Sequence, residues 1–294
     1  MYEYNKVSEI SYSDKKRGKA LSIAKYAMRA MLYSRQYKEL SQYFSETQRK
    51  EVLEQQPEFL MRFTKPYLAT CFSKNQIVDV LKKHYRWMED HFSEEARHTI
   101  YSDELELYSF TIDEKNYQVK LSFDHTYRRE GELALLLTDS EDNRYYAIAF
   151  TVVDNDIYIG CMQGGNNDNG FSRLFTKAIF GLRPKSFMVE TLRLFANDMG
   201  IDHIYAVKNS AHVYMAKRYG KKGSSINLNY DQLWQEHNGE EHDESFYSLP
   251  LHTERRAMED IKRPKRKMYR ERYAWLDEYD QALKEKLDAV SQIH

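Results

Sequence analysis

The sequence contains few of the residues that cross-link, stiffen or interrupt a chain. Among its 294 residues are 2 cysteines, 5 prolines and 11 glycines. Neither Cys71 nor Cys161 has a CxxC or CxxH partner, so no disulfide framework or structural zinc site is indicated, and we expect two reduced, buried thiols. The scarcity of proline and glycine leaves little room for linkers. The length is that of about two domains and suffices for a large core.

Excess charge of one sign and long apolar runs are also missing. The chain has 44 Lys and Arg against 45 Asp and Glu, a net charge of −1, so no overall field favours nucleic acid or a membrane. The longest apolar run, residues 133–137, is far shorter than the roughly 18 residues of a spanning helix. Residues 1–10 contain no apolar region of a signal peptide. We therefore expect a cytoplasmic protein and no nucleic-acid partner.

Hydrophobic periodicity divides the chain into three parts. Residues 1–104 are predicted to be helical, and Ile77, Val80 and Leu81 mark one helix face there, on which His84 is expected to be a core residue. From about residue 105 apolar residues alternate, which predicts four antiparallel strands leading into a fifth. Residues 105–254 form this core, and residues 255–294 form a basic helical segment. The predicted fold class is α+β, with a mixed, mostly antiparallel sheet between helical regions.

Residues 156–220 are predicted to be the organising stretch. They indicate a strand, a polar glycine loop at 163–170, helices starting at 171 and 184, a strand at 201–207 and a helix at 209–219. A glycine loop before a helix exposes backbone N–H groups, which can bind phosphate. The alternative is that the glycines only permit a tight turn. The predicted anion-binding residues are Gln163, Gly164, Gly165, Arg183 and Lys185.

This order of elements resembles the acyltransferase superfamily called GNAT over about residues 145–221. Gln163 and the glycines after it are similar to the superfamily's loop that binds the pyrophosphate of acyl-CoA. The segment from Asn209 to Gly220 is similar to a second conserved segment, with the same spacing of 11 residues. The resemblance implies acyl transfer from a CoA or acyl-carrier thioester.

Acyl transfer to an amine or hydroxyl requires a base. His212 is the candidate in the core segment, with Asp231 or Glu236 as the carboxylate that orients it. Asn209 could orient substrate, but capping of a helix also explains it. An amphipathic turn is the alternative for Asp231 and Glu236. No metal site is predicted, because the histidines near residue 240 lack ligand spacing.

Several short motifs in one order resemble the VirK/YbjX family of Gram-negative bacteria. They include Gln163-Gly164, the Gly-Leu-Arg-Pro-Lys sequence at 181–185, Asn209-x-x-His212 and the Arg-rich segment at 262–273. The resemblance covers about residues 144–276. It implies a cytoplasmic protein that is linked to the cell envelope, virulence and tolerance of host antimicrobial peptides.

The C-terminal segment carries a basic cluster. Seven of the 12 residues at 262–273 are Lys or Arg. Such a cluster can bind anionic lipid, nucleic acid or a phosphorylated carrier, and the alternative is a solvated helix face. It adds a second hypothesis, a non-enzymatic envelope accessory protein peripheral to the inner membrane. The predicted membrane contacts are Lys262, Arg263, Lys265, Arg266 and Lys267.

Overall fold

The computed structural model describes residues 18–46, 49–165, 168–220 and 228–292. The α-helices in these ranges are α1 (Lys19–Leu32), α2 (Ser34–Tyr43), α3 (Lys50–Gln55), α4 (Lys74–His91), α5 (Glu94–Ser102), α6 (Phe171–Ala178), α7 (Pro184–Asp198), α8 (Tyr230–Glu236) and α9 (Arg266–Val290). The longest 3-10 helix is Pro57–Thr64. None of the described helices is long and apolar enough to cross a membrane.

One sheet holds all the described strands. These are β1 (Glu104–Ile112), β2 (Lys115–Ser122), β3 (Leu133–Asp139), β4 (Arg144–Val153), β5 (Asp156–Gly164), β6 (His203–Val207), β7 (Glu240–Glu241) and β8 (Phe246–Leu249). Their order is β1-β2-β3-β4-β5-β6-β8-β7, and all neighbours are antiparallel except β5 and β6. The predicted α+β class with a mixed, mostly antiparallel sheet is confirmed.

Helices at both ends of the chain pack on this sheet. Helix α4 begins with a capping box, in which Ser73 and Gln76 bond to each other's backbone N–H groups. Aromatic rings join the layers: Trp87 of α4 lies 6.5 Å from Phe195 of α7, and Phe187 of α7 lies 5.1 Å from Tyr279 of α9. The hydrophobic cluster that results runs from α1 to α9.

Several local predictions are confirmed. The four-strand meander leads into β5, and the helices expected to start at 171 and 184 begin at Phe171 and Pro184. His84 is a core residue: it is 1% exposed, and its Nδ1 accepts the Val152 N–H at 3.1 Å.

Other local predictions are wrong. Cys71 is exposed, although Cys161 is buried as expected. The predicted helix at 209–219 is instead a series of 3-10 turns, of which Asn209–Ala211 and Val213–Met215 are the first two. The Thr70 N–H donates to the Ala211 carbonyl at 2.8 Å, so a residue distant in sequence occupies this carbonyl in place of a helical N–H, and His212 has a non-helical ψ of 142°.

Candidate functional site

A large cavity lies where the first turns of α6 and α7 meet α8. It has a volume of about 1010 Å³, and we call it the α7 pocket. Its wall includes the turn between α6 and α7, where Phe180 and Gly181 have φ values of 46° and 81°. Arg272 of α9 holds this turn, because its guanidinium donates to the Phe180 carbonyl at 2.8 and 3.0 Å. The basic segment that starts α9 therefore borders the pocket.

The α7 pocket is strongly basic. Pro184, Lys185 and Ser186 line it, so the first turn of α7 faces the cavity, and no side chain caps that turn. The uncapped N–H groups and the positive end of the helix dipole attract anions. Four lining residues are cationic and one is acidic: Arg173, Lys177, Arg183, Lys185 and Glu236. The predicted residues Arg183, Lys185 and Glu236 thus come together here.

The glycine stretch does not form the predicted loop throughout. Gln163 and Gly164 belong to β5, and the Gly165 N–H donates to the Tyr145 carbonyl at 2.6 Å. A Cβ at Gly165 would lie 2.2 Å from the Arg144 carbonyl oxygen, so glycine permits a close strand approach there. The N-terminus of α6 is also occupied, since the Asp168 carboxylate accepts the Ser172 N–H at 3.0 Å. In this region the groups that can bind an anion are therefore the uncapped backbone N–H groups and the cationic side chains at the start of α7.

A buried polar group, the Glu130 cluster, lies where the chain before β3 crosses β5. It consists of Glu130, Cys161, Gln163 and His212, and Glu130 and His212 are each 1% exposed. The crossing depends on Gly160, where a Cβ would lie 1.8 Å from the Glu130 carbonyl oxygen. Gln163 Nε2 donates to Glu130 Oε1 at 3.1 Å. Burial raises the pKa of the Cys161 thiol well above its ordinary value, and Glu130 raises it further.

Glu130 is the carboxylate beside His212. The His212 Nε2 atom lies 3.2 Å from Glu130 Oε1, within ion-pair distance, yet it makes no well-aligned hydrogen bond. His212 Nδ1 accepts the Tyr214 N–H at 3.4 Å, which assigns the ring proton to Nε2. Nε2–H therefore faces Glu130, and the cluster is incompletely satisfied.

The two predicted orienting carboxylates lie elsewhere. Asp231 accepts the Asn209 N–H at 2.9 Å, and Glu236 accepts from the Gln232 amide at 3.0 Å. The Asn209 side chain accepts the Tyr230 N–H at 3.0 Å, so it holds the start of α8. Sequence reasoning missed Glu130. The available signal was a charged run at 128–132 followed directly by an apolar strand.

Helix α8 contacts both the pocket and the cluster. Asn229, before its first turn, and Leu233 line the α7 pocket, while Tyr230 stacks on His212 with ring centres 5.3 Å apart. Strands β5 and β6 stop pairing after Ile159 and Ala206, which leaves part of the β5 backbone without a strand partner there. The Tyr230 hydroxyl lies 3.3 Å from the Met162 nitrogen and 3.1 Å from its carbonyl oxygen, so it occupies both backbone groups in this cleft.

Comparisons with known proteins identify the family. The family model described as "Protein of unknown function (DUF535)" matches residues 15–285. The chain belongs to this family. It is 30% identical to the uncharacterized protein YbjX of Escherichia coli (strain K12) over 235 residues, which are 77% of this chain and 71% of that protein. The predicted VirK/YbjX membership is confirmed.

Two further relatives are uncharacterized proteins of Haemophilus influenzae (strain ATCC 51907 / DSM 11121 / KW20 / Rd). One is 32% identical over 56% of this chain and the other 29% identical over 58%. The matched regions are 56% and 58% of those two proteins. No solved structure matches the chain.

Proposed function

We propose that this protein is an acyltransferase whose α7 pocket binds the phosphate groups of a CoA or acyl-carrier thioester. The observation that carries the proposal is an uncapped helix N-terminus that faces a cavity of about 1010 Å³ together with four cationic side chains. Phosphate is the anion that such a combination of backbone dipoles, Arg and Lys binds best. The cavity is also at the upper end of the usual volume for cofactor sites.

The order of elements supports a GNAT-like core. An antiparallel meander, β1 to β5, is followed by two helices and then by β6, which is parallel to β5. Strands β5 and β6 stop pairing after Ile159 and Ala206, and the gap beside the unpaired end of β5, at the carboxyl ends of parallel strands, is a common place for a ligand. A ligand that enters this gap must displace the Tyr230 hydroxyl from Met162.

The reaction needs a base for the acceptor. The acceptor's amine or hydroxyl attacks the thioester carbonyl carbon and loses a proton, while the carbon–sulfur bond breaks and the thiolate leaves. In this proposal His212 takes that proton at Nδ1, and Glu130 stabilises the imidazolium through Nε2–H. His212 is 1% exposed, so the acceptor must displace the segment that carries Tyr214. The acceptor is an envelope component or a protein, consistent with the predicted links to virulence and antimicrobial-peptide tolerance.

Thermal unfolding with CoA, acetyl-CoA, long-chain acyl-CoA and acyl carrier protein tests donor binding. A ligand at about 100 times its Kd adds roughly 2.7 kcal/mol, or about 5 to 11 °C at this chain length. We expect one donor to stabilise the wild type and the Arg86→Ala control, whose side chain is exposed beside Asp90. Arg183→Ala should lose most of the shift. No shift with any donor would refute the pocket assignment.

The chemistry needs a separate test. We expect His212→Gln to retain the thermal shift with the donor but to lose acyl transfer, measured as thiol release in the presence of a cell-envelope extract. Full transfer by this variant would remove His212 as the base. If the donor binds but releases no thiol with any acceptor fraction, the protein is a donor-binding protein and not an acyltransferase.

A specific observation favours a second candidate, docking to anionic lipid. Five basic residues at the start of α9 and just before it are exposed: Lys262, Arg263, Lys265, Lys267 and Arg270. Arg266, also predicted as a membrane contact, instead donates to the Ile261 carbonyl at 2.9 Å and the Glu259 carbonyl at 3.2 Å. Surface lysines near an anionic membrane contribute about 1 kcal/mol each.

Neutralisation of Lys262, Lys265 and Lys267 to Gln leaves the Arg266 contacts intact. We expect this variant to sediment less with vesicles containing phosphatidylserine than the wild type, and the difference should vanish at high salt. Equal sedimentation of both proteins at low salt would exclude docking through this segment.

A further inference from the structure

A second basic site lies away from the α7 pocket and shares no lining residue with it. This recess is formed by α1, the end of the 3-10 helix Pro57–Thr64 and the loop that contains residues 125–129. We call it the Arg129 recess. Its cationic lining residues other than Arg62 are Arg29, Lys65, Arg128 and Arg129.

These charges are poorly compensated. Among the described residues Glu58 is the one carboxylate that lines the recess. Arg62 also lines it, but its charge is paired with Glu132 and is not counted here. Arg218 adds a further cation at the rim, where its Nη1 donates to the Thr64 carbonyl at 3.0 Å. The recess therefore carries several more positive than negative charges within the described part of the chain.

Arg129 is the central observation. The residue is 9% exposed, and no described carboxylate lies within ion-pair distance of its guanidinium. Its backbone is fixed, since the Arg129 carbonyl accepts the Leu68 N–H at 2.7 Å. The neighbouring Arg128 Nε is buried without a partner, although Arg128 Nη1 donates to the His125 carbonyl at 2.9 Å. A buried guanidinium N–H without an acceptor, such as that of Arg128 Nε, is costly and calls for an explanation.

The electrostatics agree with this geometry. Burial lowers the pKa of Arg129 to about 10, and Arg62 and Arg128 lower it further against the opposing effect of Tyr219. Burial also lowers the pKa of Lys65 to about 8, with contributions from Arg129, Arg218 and Arg128 that Glu58 only partly offsets. Each cation is thus destabilised by the others, and a bound anion would relieve all of them.

We infer that the Arg129 recess binds a phosphate monoester group. The enclosed volume of about 20 Å³ holds one oxygen-sized atom, so the anion inserts an oxygen and the rest of the molecule stays at the rim. Arg side chains match phosphate geometry through parallel N–H donors, and a dianion neutralises more of this charge than a carboxylate does. The site stands independently of the acyltransferase proposal.

Thermal unfolding in phosphate-free buffer tests the inference. Inorganic phosphate is added against sodium chloride of the same ionic strength, for the wild type, Arg129→Met, Lys65→Met, the control Arg86→Met, and Arg183→Ala, which measures any phosphate bound in the α7 pocket. We expect phosphate to stabilise the wild type and Arg86→Met more than chloride does. Arg129→Met should lose that increment, and Lys65→Met should weaken phosphate binding about tenfold.

The behaviour without phosphate separates a binding role from a structural one. Removal of an uncompensated buried cation should raise the unfolding temperature of Arg129→Met in phosphate-free buffer. A structural arginine would give a lower temperature in that variant. The inference is overturned if phosphate stabilises the wild type, Arg129→Met and Lys65→Met equally, or if the wild type does not respond to phosphate.

A second arm distinguishes the source of the phosphate group. Vesicles of phosphatidylcholine with phosphatidic acid are sedimented with the wild type and with Arg129→Met. Loss of sedimentation in the variant assigns a lipid headgroup, while equal sedimentation together with the phosphate-dependent thermal shift assigns a soluble phosphorylated molecule. Both outcomes keep the phosphate site.

Discussion

Glu130 and Glu132 are two residues apart and almost equally buried, yet their surroundings differ. Glu132, which is 2% exposed, accepts from Arg62 and from the Tyr85 hydroxyl at 2.7 Å. Arg62 in turn donates to Gln56, so each member of this group has a partner. Burial is the largest single influence and acts to lower the pKa of Arg62, but Glu132, Tyr85 and Tyr67 together raise it, and the net shift is upward. Glu130, 1% exposed, faces the poorly aligned His212 and the Gln163 amide.

The difference indicates two uses of a buried carboxylate. A fully hydrogen-bonded group such as Glu132 with Arg62 fixes the position of α4 and the 3-10 helix against the sheet, and any change in its charge leaves a partner unpaired. An incompletely bonded group such as Glu130 with His212 can exchange a proton at lower cost. We therefore assign Glu132 to stability and Glu130 to the proposed chemistry.

The largest expected effect on the free energy of unfolding comes from the fully hydrogen-bonded pair of Arg62 and Glu132. Arg62→Met removes the cation and leaves Glu132 buried without its charge partner, which should cost about 3 to 5 kcal/mol in the free energy of unfolding. Urea denaturation measures this loss. The control Arg86→Met removes an exposed Arg and should change stability by less than about 0.5 kcal/mol. A loss in Arg62→Met as small as in the control would mean that the pair is not structural.

Periodicity predicted the parts of the fold that are locally encoded. The alternation of β1 to β5 and the apolar face of α4 follow from side chains that contact a core on one face or two. The local sequence at 209–219 predicts a helix. The structure differs because the N–H of Thr70, about 140 residues earlier, donates to the Ala211 carbonyl. Such a competing bond has no signature in the local sequence.

The candidate site was predictable only in part. Arg183 and Lys185 flank Pro184 at a helix start, a local pattern, and they do line the large pocket. The pairing of Glu130 with His212 spans a long stretch of sequence and depends on the close backbone approach at Gly160. A glycine within a strand signals some close approach, but it does not reveal which segment crosses there.

A second prediction compares the two carboxylates directly. Glu132→Gln leaves Arg62 without a carboxylate and should destabilise the protein by about 3 to 5 kcal/mol. Glu130→Gln can keep a hydrogen bond with Gln163, and it should cost only about 1 kcal/mol. The same Glu130→Gln variant should lose acyl transfer in the thiol-release assay. Equal destabilisation by the two changes in urea denaturation would contradict the division between them.

A third prediction uses His84, the satisfied counterpart of His212. Burial lowers the pKa of His84 to about 3. The bond from the Val152 N–H acts to raise this pKa, and nearby Arg62 acts to lower it. The unfolded chain takes up a proton below about pH 6.5 and the folded chain does not, so the contribution to stability is complete above pH 6.5 and falls with pH. At pH 5 the loss is about 2 kcal/mol.

The matched variant is His84→Gln, which does not titrate in this range. Between pH 7 and pH 5 the wild type should lose about 2 kcal/mol more than His84→Gln in urea denaturation. The same loss in both proteins would show that His84 remains accessible to protons in the folded state.

The smallest expected effect is on thiol reactivity and leaves stability unchanged. Cys71 is exposed, whereas Cys161 is buried in the Glu130 cluster, where burial and Glu130 raise the pKa of its thiol. A disulfide exchange reagent should therefore label one thiol in the native protein and both in urea. Cys71→Ser should abolish native labelling. Native labelling of Cys161 in that variant would show that the Glu130 cluster opens to solvent, which the proposed access to His212 requires. If a donor thioester increases this labelling, the opening is linked to ligand binding.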